Sequence, residues 1–183
     1  MSGDTIKLLF FGDITGRQGR IAVKNYIASI QEKPDFIIAN IENASHGFGL
    51  TKKNYEDLNS AGIDCFTSGN HIWDKKDIFE YIDNVDNLVR PINYPIGTKG
   101  SGVKIFDVNN QKLAVINALG RVFMPPIDSP WQVVMEEIEN LKNEGVEHII
   151  IDFHAEATAE KIAMGYYLDG QVTAIFGTHT HVQ

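Results

Sequence analysis

The chain is 183 residues long and 43% hydrophobic, which suits one well-packed domain and leaves too little for two. Its 16 Lys and Arg against 24 Asp and Glu give a net charge of −8, a balance that argues against an extended nucleic-acid surface or a general attraction to anionic membrane. No apolar stretch approaches the length of a membrane span and residues 1–7 lack the basic and hydrophobic blocks of a signal peptide, so the expected compartment is the cytoplasm.

In chain order, residues 6–11 form a short β-rich apolar run ending in Gly12-Asp13, followed by a helical pattern over 17–30. A second strand over 35–40 runs into Ile41-Glu42-Asn43 and a helix over 51–60 closed by Gly62. The strand over 63–67 carries the lone cysteine, Cys65, read as a small core residue, and leads into Gly69-Asn70-His71 and a helix over 75–83. Strands over 103–108 and 112–117, joined by Asn109-Asn110-Gln111, read as an antiparallel hairpin, and the Pro-rich stretch 124–130 as a surface loop. A helix over 130–143, a strand over 148–153, a helix over 158–168 and a strand over 172–176 complete the series, with Gly145 and Gly170 after the two helices. Strand–helix alternation requires parallel pairing and the hairpin requires antiparallel pairing, so the fold class is α/β with mixed β-sheets.

Asp13, Glu42 with Asn43, Asn70 with His71, His154, and His179 with His181 all follow apolar strands. Loops at the carboxyl ends of parallel strands share one crevice, so five distant segments can converge there. Carboxylates, an amide oxygen and neutral imidazoles make a mixed nitrogen and oxygen donor set without thiolate, which fits iron, manganese or zinc and suits magnesium poorly. Each residue alone is ordinary, since Asp and Asn are common in turns and single histidines are mostly surface or core residues. The His-x-His pair is more telling, because residues two apart in an extended segment point the same way.

Gly69-Asn70-His71 and Gly177-Thr178-His179-Thr180-His181 resemble motifs of the calcineurin-like metallophosphoesterases. That superfamily usually opens with Asp-x-His and bridges its metals with the aspartate of Gly-Asp, where this chain has Asp13-Ile14-Thr15 and Ile41-Glu42-Asn43. Those departures, with Phe153-His154-Ala155-Glu156-Ala157-Thr158 and Gly165-Tyr166-Tyr167-Leu168-Asp169-Gly170, are similar to the YmdB branch, bacterial metal-dependent phosphodiesterases active on cyclic nucleotides. The resemblance implies a β-sandwich flanked by helices, with the metal site at the strand carboxyl ends. It implies two divalent or mixed-valence transition ions, iron first, with Glu42 bridging, Asp13, Asn43 and His181 on one ion, and Asn70, His154 and His179 on the other. His71 would then serve the leaving oxygen as the catalytic acid.

The implied activity is hydrolysis of cyclic or small nucleotide phosphodiesters by a metal-activated hydroxide, without a membrane partner and with a homo-oligomer in prospect. A metal-dependent phosphomonoesterase and a non-catalytic metal- and nucleotide-binding module are the alternatives. Members of the branch continue past the point matching Gln183, so residues 1–183 are expected to be a single metallophosphoesterase domain lacking its C-terminal portion. Other polar residues have two readings or one plain one. Arg17 and Arg20 suit a helix start that receives phosphate or a solvated face, and Arg90 suits a phosphate or the pinning of a loop. His46 reads as a solvated loop residue and His148 as structural, and Glu156, Glu160 and Lys161 read as complements to a helix end and its surface. Tyr166 and Tyr167 read as half core and half surface.

Overall fold

Side chains on a strand alternate between its two faces, and in this chain the alternation sorts three cores. The computed structural model describes residues 5–182. Strands β1 (Leu8–Phe11), β2 (Phe36–Asn40) and β3 (Cys65–Thr67) form an all-parallel sheet, joined by helices α1 (Gly16–Ser29) and α2 (Lys52–Asn59). Strands β4 (Val103–Val108), β5 (Gln111–Leu119), β6 (His148–His154) and β7 (Ala174–Thr178) form a second sheet in that order. Here β4 is antiparallel to β5 and the other pairs are parallel. The remaining helices are α3 (Ile78–Tyr81), α4 (Pro130–Asn143) and α5 (Thr158–Tyr167).

On β2, Ile37 and Ala39 pack beneath α1 and α2, whereas Phe36 and Ile38 face the other sheet. On β5, Ala114, Ile116 and Ala118 lie against α4 and α5, whereas Leu113 and Val115 face inward. The rings of Phe10 and Phe176 stack across the sandwich at 4.2 Å. Continuing each inward row toward the carboxyl ends leads from apolar to polar: Asn40 on β2, Thr67 on β3, Asn117 on β5, Asp152 on β6 and Thr178 on β7, all buried. The sandwich interior is therefore greasy at one end and hydrogen-bonded at the other, and the polar end carries the candidate ligands.

The expected elements are present, with shifted ends. The hairpin expected between β4 and β5 is present with a shorter loop: Gln111 pairs with Val108, leaving Asn109 and Asn110, both of positive φ, as a two-residue turn. Gly62, Gly145 and Gly170 also take positive φ after their helices. The helix expected over 75–83 contracts to Ile78–Tyr81 and a 3-10 turn at Ile82–Asn84. The carboxylate of Asp77 accepts from the Lys52 backbone N–H at 2.9 Å and so serves the start of α2, leaving α3 without a side-chain cap. No helix among the described residues is long and apolar enough to cross a membrane.

Candidate metal centre

Five strand exits converge as the topology demands. Glu42, two residues past the end of β2, is fully buried, as is His154 at the end of β6, and Glu42 Oε1 lies 3.1 Å from His154 Nε2. The same nitrogen is 3.1 Å from Asn70 Oδ1 and 3.1 Å from His179 Nδ1. One imidazole nitrogen holds a single proton or a single lone pair and cannot bond three partners. Among the described residues, Glu42, His154 and His179 offer ligand atoms all within 4.8 Å of one another.

A second cluster adjoins the first. Asp13 Oδ2 is 3.3 Å from His181 Nε2, and Asn43 Nδ2 donates to Asp13 Oδ2 at 3.2 Å and to Glu42 Oε1 at 3.0 Å. The His179 backbone N–H donates to Asp13 Oδ1 at 3.0 Å, tying the terminal loop to the first strand exit. His179 and His181 both have positive φ, so the pair does not lie in the extended segment expected from its spacing, and the rings take different partners, His154 for His179 and Asp13 for His181. All seven predicted ligands thus belong to one continuous network, with Glu42 shared between its halves.

The surroundings fit cations. Asn43 Oδ1 is buried without a hydrogen-bond partner while its amide hydrogens stand between two carboxylates, the place a positive ion would take. At Gly69 a Cβ would come within 2.4 Å of both Glu42 Oε2 and His154 Nε2, so the absence of a side chain keeps the cradle open. The donors are nitrogen and oxygen, without sulfur. A cavity of about 360 Å³ adjoins Asp13 and His181 and is lined also by Phe11, Gly19 and Val23.

Electrostatics follow the geometry. Burial pushes the Glu42 carboxyl up, but the hydrogen bond and charge of His154 outweigh it and hold Glu42 below the usual range. Burial likewise opposes the imidazolium of His154, yet Glu42 and Asp13 raise its pKa above the ordinary histidine value. His179 is depressed by burial and by the charge of His154. A proton on His154 therefore occupies the position that a metal would contest.

His71 sits at the rim, with its backbone N–H donating to Glu42 Oε2 at 2.9 Å. Its Nδ1 is 2.8 Å from Asp74 Oδ2, and the ring of Phe48 meets it edge-on at 4.9 Å. The ring is fixed beside the cluster without entering it.

Several residues depart from their sequence reading. Glu160 is not a surface complement: it is 8% exposed and accepts from the backbone N–H groups of Arg121 and Val122. Lys161 is no surface residue either, for its Nζ donates to Thr178 O at 3.2 Å and Thr180 Oγ1 at 2.9 Å, pinning the His-x-His loop. Glu156 Oε2 lies 2.8 Å from His179 Nε2. Tyr166 and Tyr167 are both exposed, not half core. Arg90 pins its loop through Lys99 O, Pro91 O and Thr98 O, and Arg20 donates to Ala44 O. His148 bonds Gln111, as a structural residue does.

Sequence reasoning passed over Asn40, Asp152 and Thr178. The signal available was strand parity, since Asp152 lies two residues before His154 on one strand face and Asn40 two before Glu42.

A family model described as YmdB-like protein matches residues 9–183. A protein of Bacillus subtilis named 2',3'-cyclic-nucleotide 2'-phosphodiesterase is 51% identical over 180 residues, which are 97% of this chain and 68% of that protein. The crystal structure of a protein titled a novel phosphatase, from Mycoplasma pneumoniae, superposes with a TM-score of 0.90 at 39% identity, covering 98% of this chain and 66% of that one. A 5'-nucleotidase precursor from Thermus thermophilus shares the fold at a TM-score of 0.67 and 12% identity, over 96% of this chain and 42% of its own. The chain thus spans about two thirds of the length of its more similar relatives.

Proposed function

The chain belongs to the YmdB-like protein family and is by that kinship a phosphoester hydrolase, and we propose that it cleaves nucleotide phosphodiesters, 2',3'-cyclic nucleotides foremost, with two metal ions. The observation that carries the reading is the crowding of six nitrogen- and oxygen-bearing candidate ligands around buried Glu42, together with the unpartnered Asn43 Oδ1 and the side-chain-free wall at Gly69.

Glu42 would be shared between the ions, with Asp13, Asn43 and His181 on one side and Asn70, His154 and His179 on the other. Iron, manganese and zinc suit these donors. When bound, two such ions supply positive charge for phosphate oxygens and acidify water enough for hydroxide near neutral pH. The protein supplies the rest. Asp13 and Glu42 are held by backbone N–H groups of His179 and His71, so neither carboxylate has freedom to swing away. His71, oriented through Nδ1 by Asp74, presents its other nitrogen as the proton donor for an alkoxide leaving group. Breaking the P–O bond places the electron pair on that oxygen and the His71 proton neutralises it.

The test is a substrate panel run with manganese and with ferrous iron: 2',3'-cyclic nucleotides, an aryl phosphodiester and the matching monoesters. Faster cleavage of diesters is expected. Preference for monoesters would reassign the protein as a phosphomonoesterase, and full metal loading without any hydrolysis would make it a binding module.

A further inference from the structure

Beneath the metal cradle lies a buried carboxylate that binds no candidate ion. Asp152 is fully buried at the polar end of the sandwich, and its three hydrogen-bond partners come from three strands of both sheets. Asn40 Nδ2 donates to Oδ2 at 2.9 Å, Thr67 Oγ1 donates to the same oxygen, and Thr178 Oγ1 donates to Oδ1 at 2.6 Å. The orientation of Asn40 is settled by its other contacts, because its Oδ1 accepts the Glu42 backbone N–H at 3.2 Å and its Nδ2 also reaches Ser68 O.

A threonine hydroxyl has one proton. Thr178 gives that proton to Asp152, so toward His154 Nδ1, 2.9 Å away, its oxygen can only accept. His154 must then carry a hydrogen on Nδ1, and in the neutral ring Nε2 is left with a lone pair. Nε2 is the atom that faces Glu42, Asn70 and His179. We propose that Asp152 is a positioning residue that, through Thr178, fixes His154 in the Nδ1–H tautomer and aims its Nε2 lone pair into the metal cradle. The same carboxylate, through Asn40, steadies the backbone of Glu42, so one buried charge orders ligands from both sheets. The inference rests on the metal-site reading above, whereas the hydrogen on Nδ1 follows from Asp152 and Thr178 alone.

Replacing the carboxylate by an amide breaks the logic whichever way the amide turns. With its oxygen toward Thr178, its NH2 confronts the NH2 of Asn40; with its NH2 toward Thr178, the threonine hydroxyl donates to His154 Nδ1 instead, and the ring hydrogen belongs on Nε2. The experiment is a nitrogen–proton correlation spectrum of the His154 imidazole in metal-free protein, followed upward in pH until the ring is neutral. Asp152→Asn, Thr178→Val and Thr178→Ser are compared with the wild type, and manganese affinity is titrated in parallel.

Wild type and Thr178→Ser are expected to show the proton on Nδ1. Thr178→Val, which keeps the volume without the hydroxyl, should lose that signature, and both it and Asp152→Asn should bind manganese about 10- to 100-fold more weakly. A wild-type proton on Nε2, or an unchanged tautomer in Thr178→Val, would overturn the proposal. If the tautomers behave as stated but the wild type takes up no metal, the positioning role stands and the metal-site reading falls.

Discussion

Gly69→Ala is the smallest perturbation that should empty the cradle. The added Cβ would lie 2.4 Å from Glu42 Oε2 and from His154 Nε2, about 1 Å inside the 3.4 Å at which ordinary contact begins. Neither neighbour can give way cheaply. Glu42 Oε2 accepts the His71 backbone N–H at 2.9 Å, and His154 is held from behind by Thr178 Oγ1 at 2.9 Å. Gly69 has no positive φ, so alanine strains the site and not the backbone. Overpacking of this kind costs about 1–3 kcal/mol, which for a chain of this size lowers the melting temperature by roughly 2–12 °C. The larger effect falls on the ions, because the methyl group separates two of their ligands, and their affinity should drop about 100-fold. Elemental analysis after dialysis against manganese, with circular dichroism to follow the fold, reads both quantities. A folded Gly69→Ala protein with wild-type metal content and turnover would refute the placement of the ions between Glu42 and His154.

Three further outcomes are expected. His71→Ala leaves the His71 backbone N–H on Glu42, so metal content should persist while turnover of a nucleotide diester falls by about 10²–10⁴, with a p-nitrophenyl ester largely spared because its leaving group needs no proton. Burial pushes the Asp152 carboxyl up from 3.8 to about 6, so folding favours its protonated form: in chelator-treated protein its contribution to stability is whole below 3.8 and is lost as pH rises through about 6. Denaturant titrations across that window should show a downward slope in the wild type that Asp152→Asn flattens, and equal slopes would contradict it. The Cys65 thiol, fully buried on β3, is raised well above its ordinary value by burial, so it should resist alkylation near neutral pH until the protein unfolds; fast labelling of folded protein would contradict the packing.

The candidate ligands were legible because each sits where an apolar strand ends, and strand ends are written in local pattern. Glu42 follows a strand that is apolar up to Asn40, and His179 and His181 follow Ala174–Thr178, although their rings go to different neighbours, His154 and Asp13. What joins the ends is not local. Lys161 looks like any helical lysine, yet it reaches Thr178 and Thr180 because β7 lies beside α5, and Gly177 leaves space for its stem. Asp152 reads as a break in an isoleucine-rich strand, and its use becomes visible only when Asn40 and Thr67 arrive from the opposite sheet. The missing side-chain cap of α3 has the same origin, since the Asp77 carboxylate is engaged by the Lys52 backbone N–H across space.

Anomalous diffraction from manganese-loaded crystals tests the two-ion centre most directly. Two peaks are expected, both within bonding distance of Glu42, one also ligated by Asp13, Asn43 and His181 and the other by Asn70, His154 and His179. A single peak, or peaks away from Glu42, would contradict the shared-carboxylate centre on which the account rests.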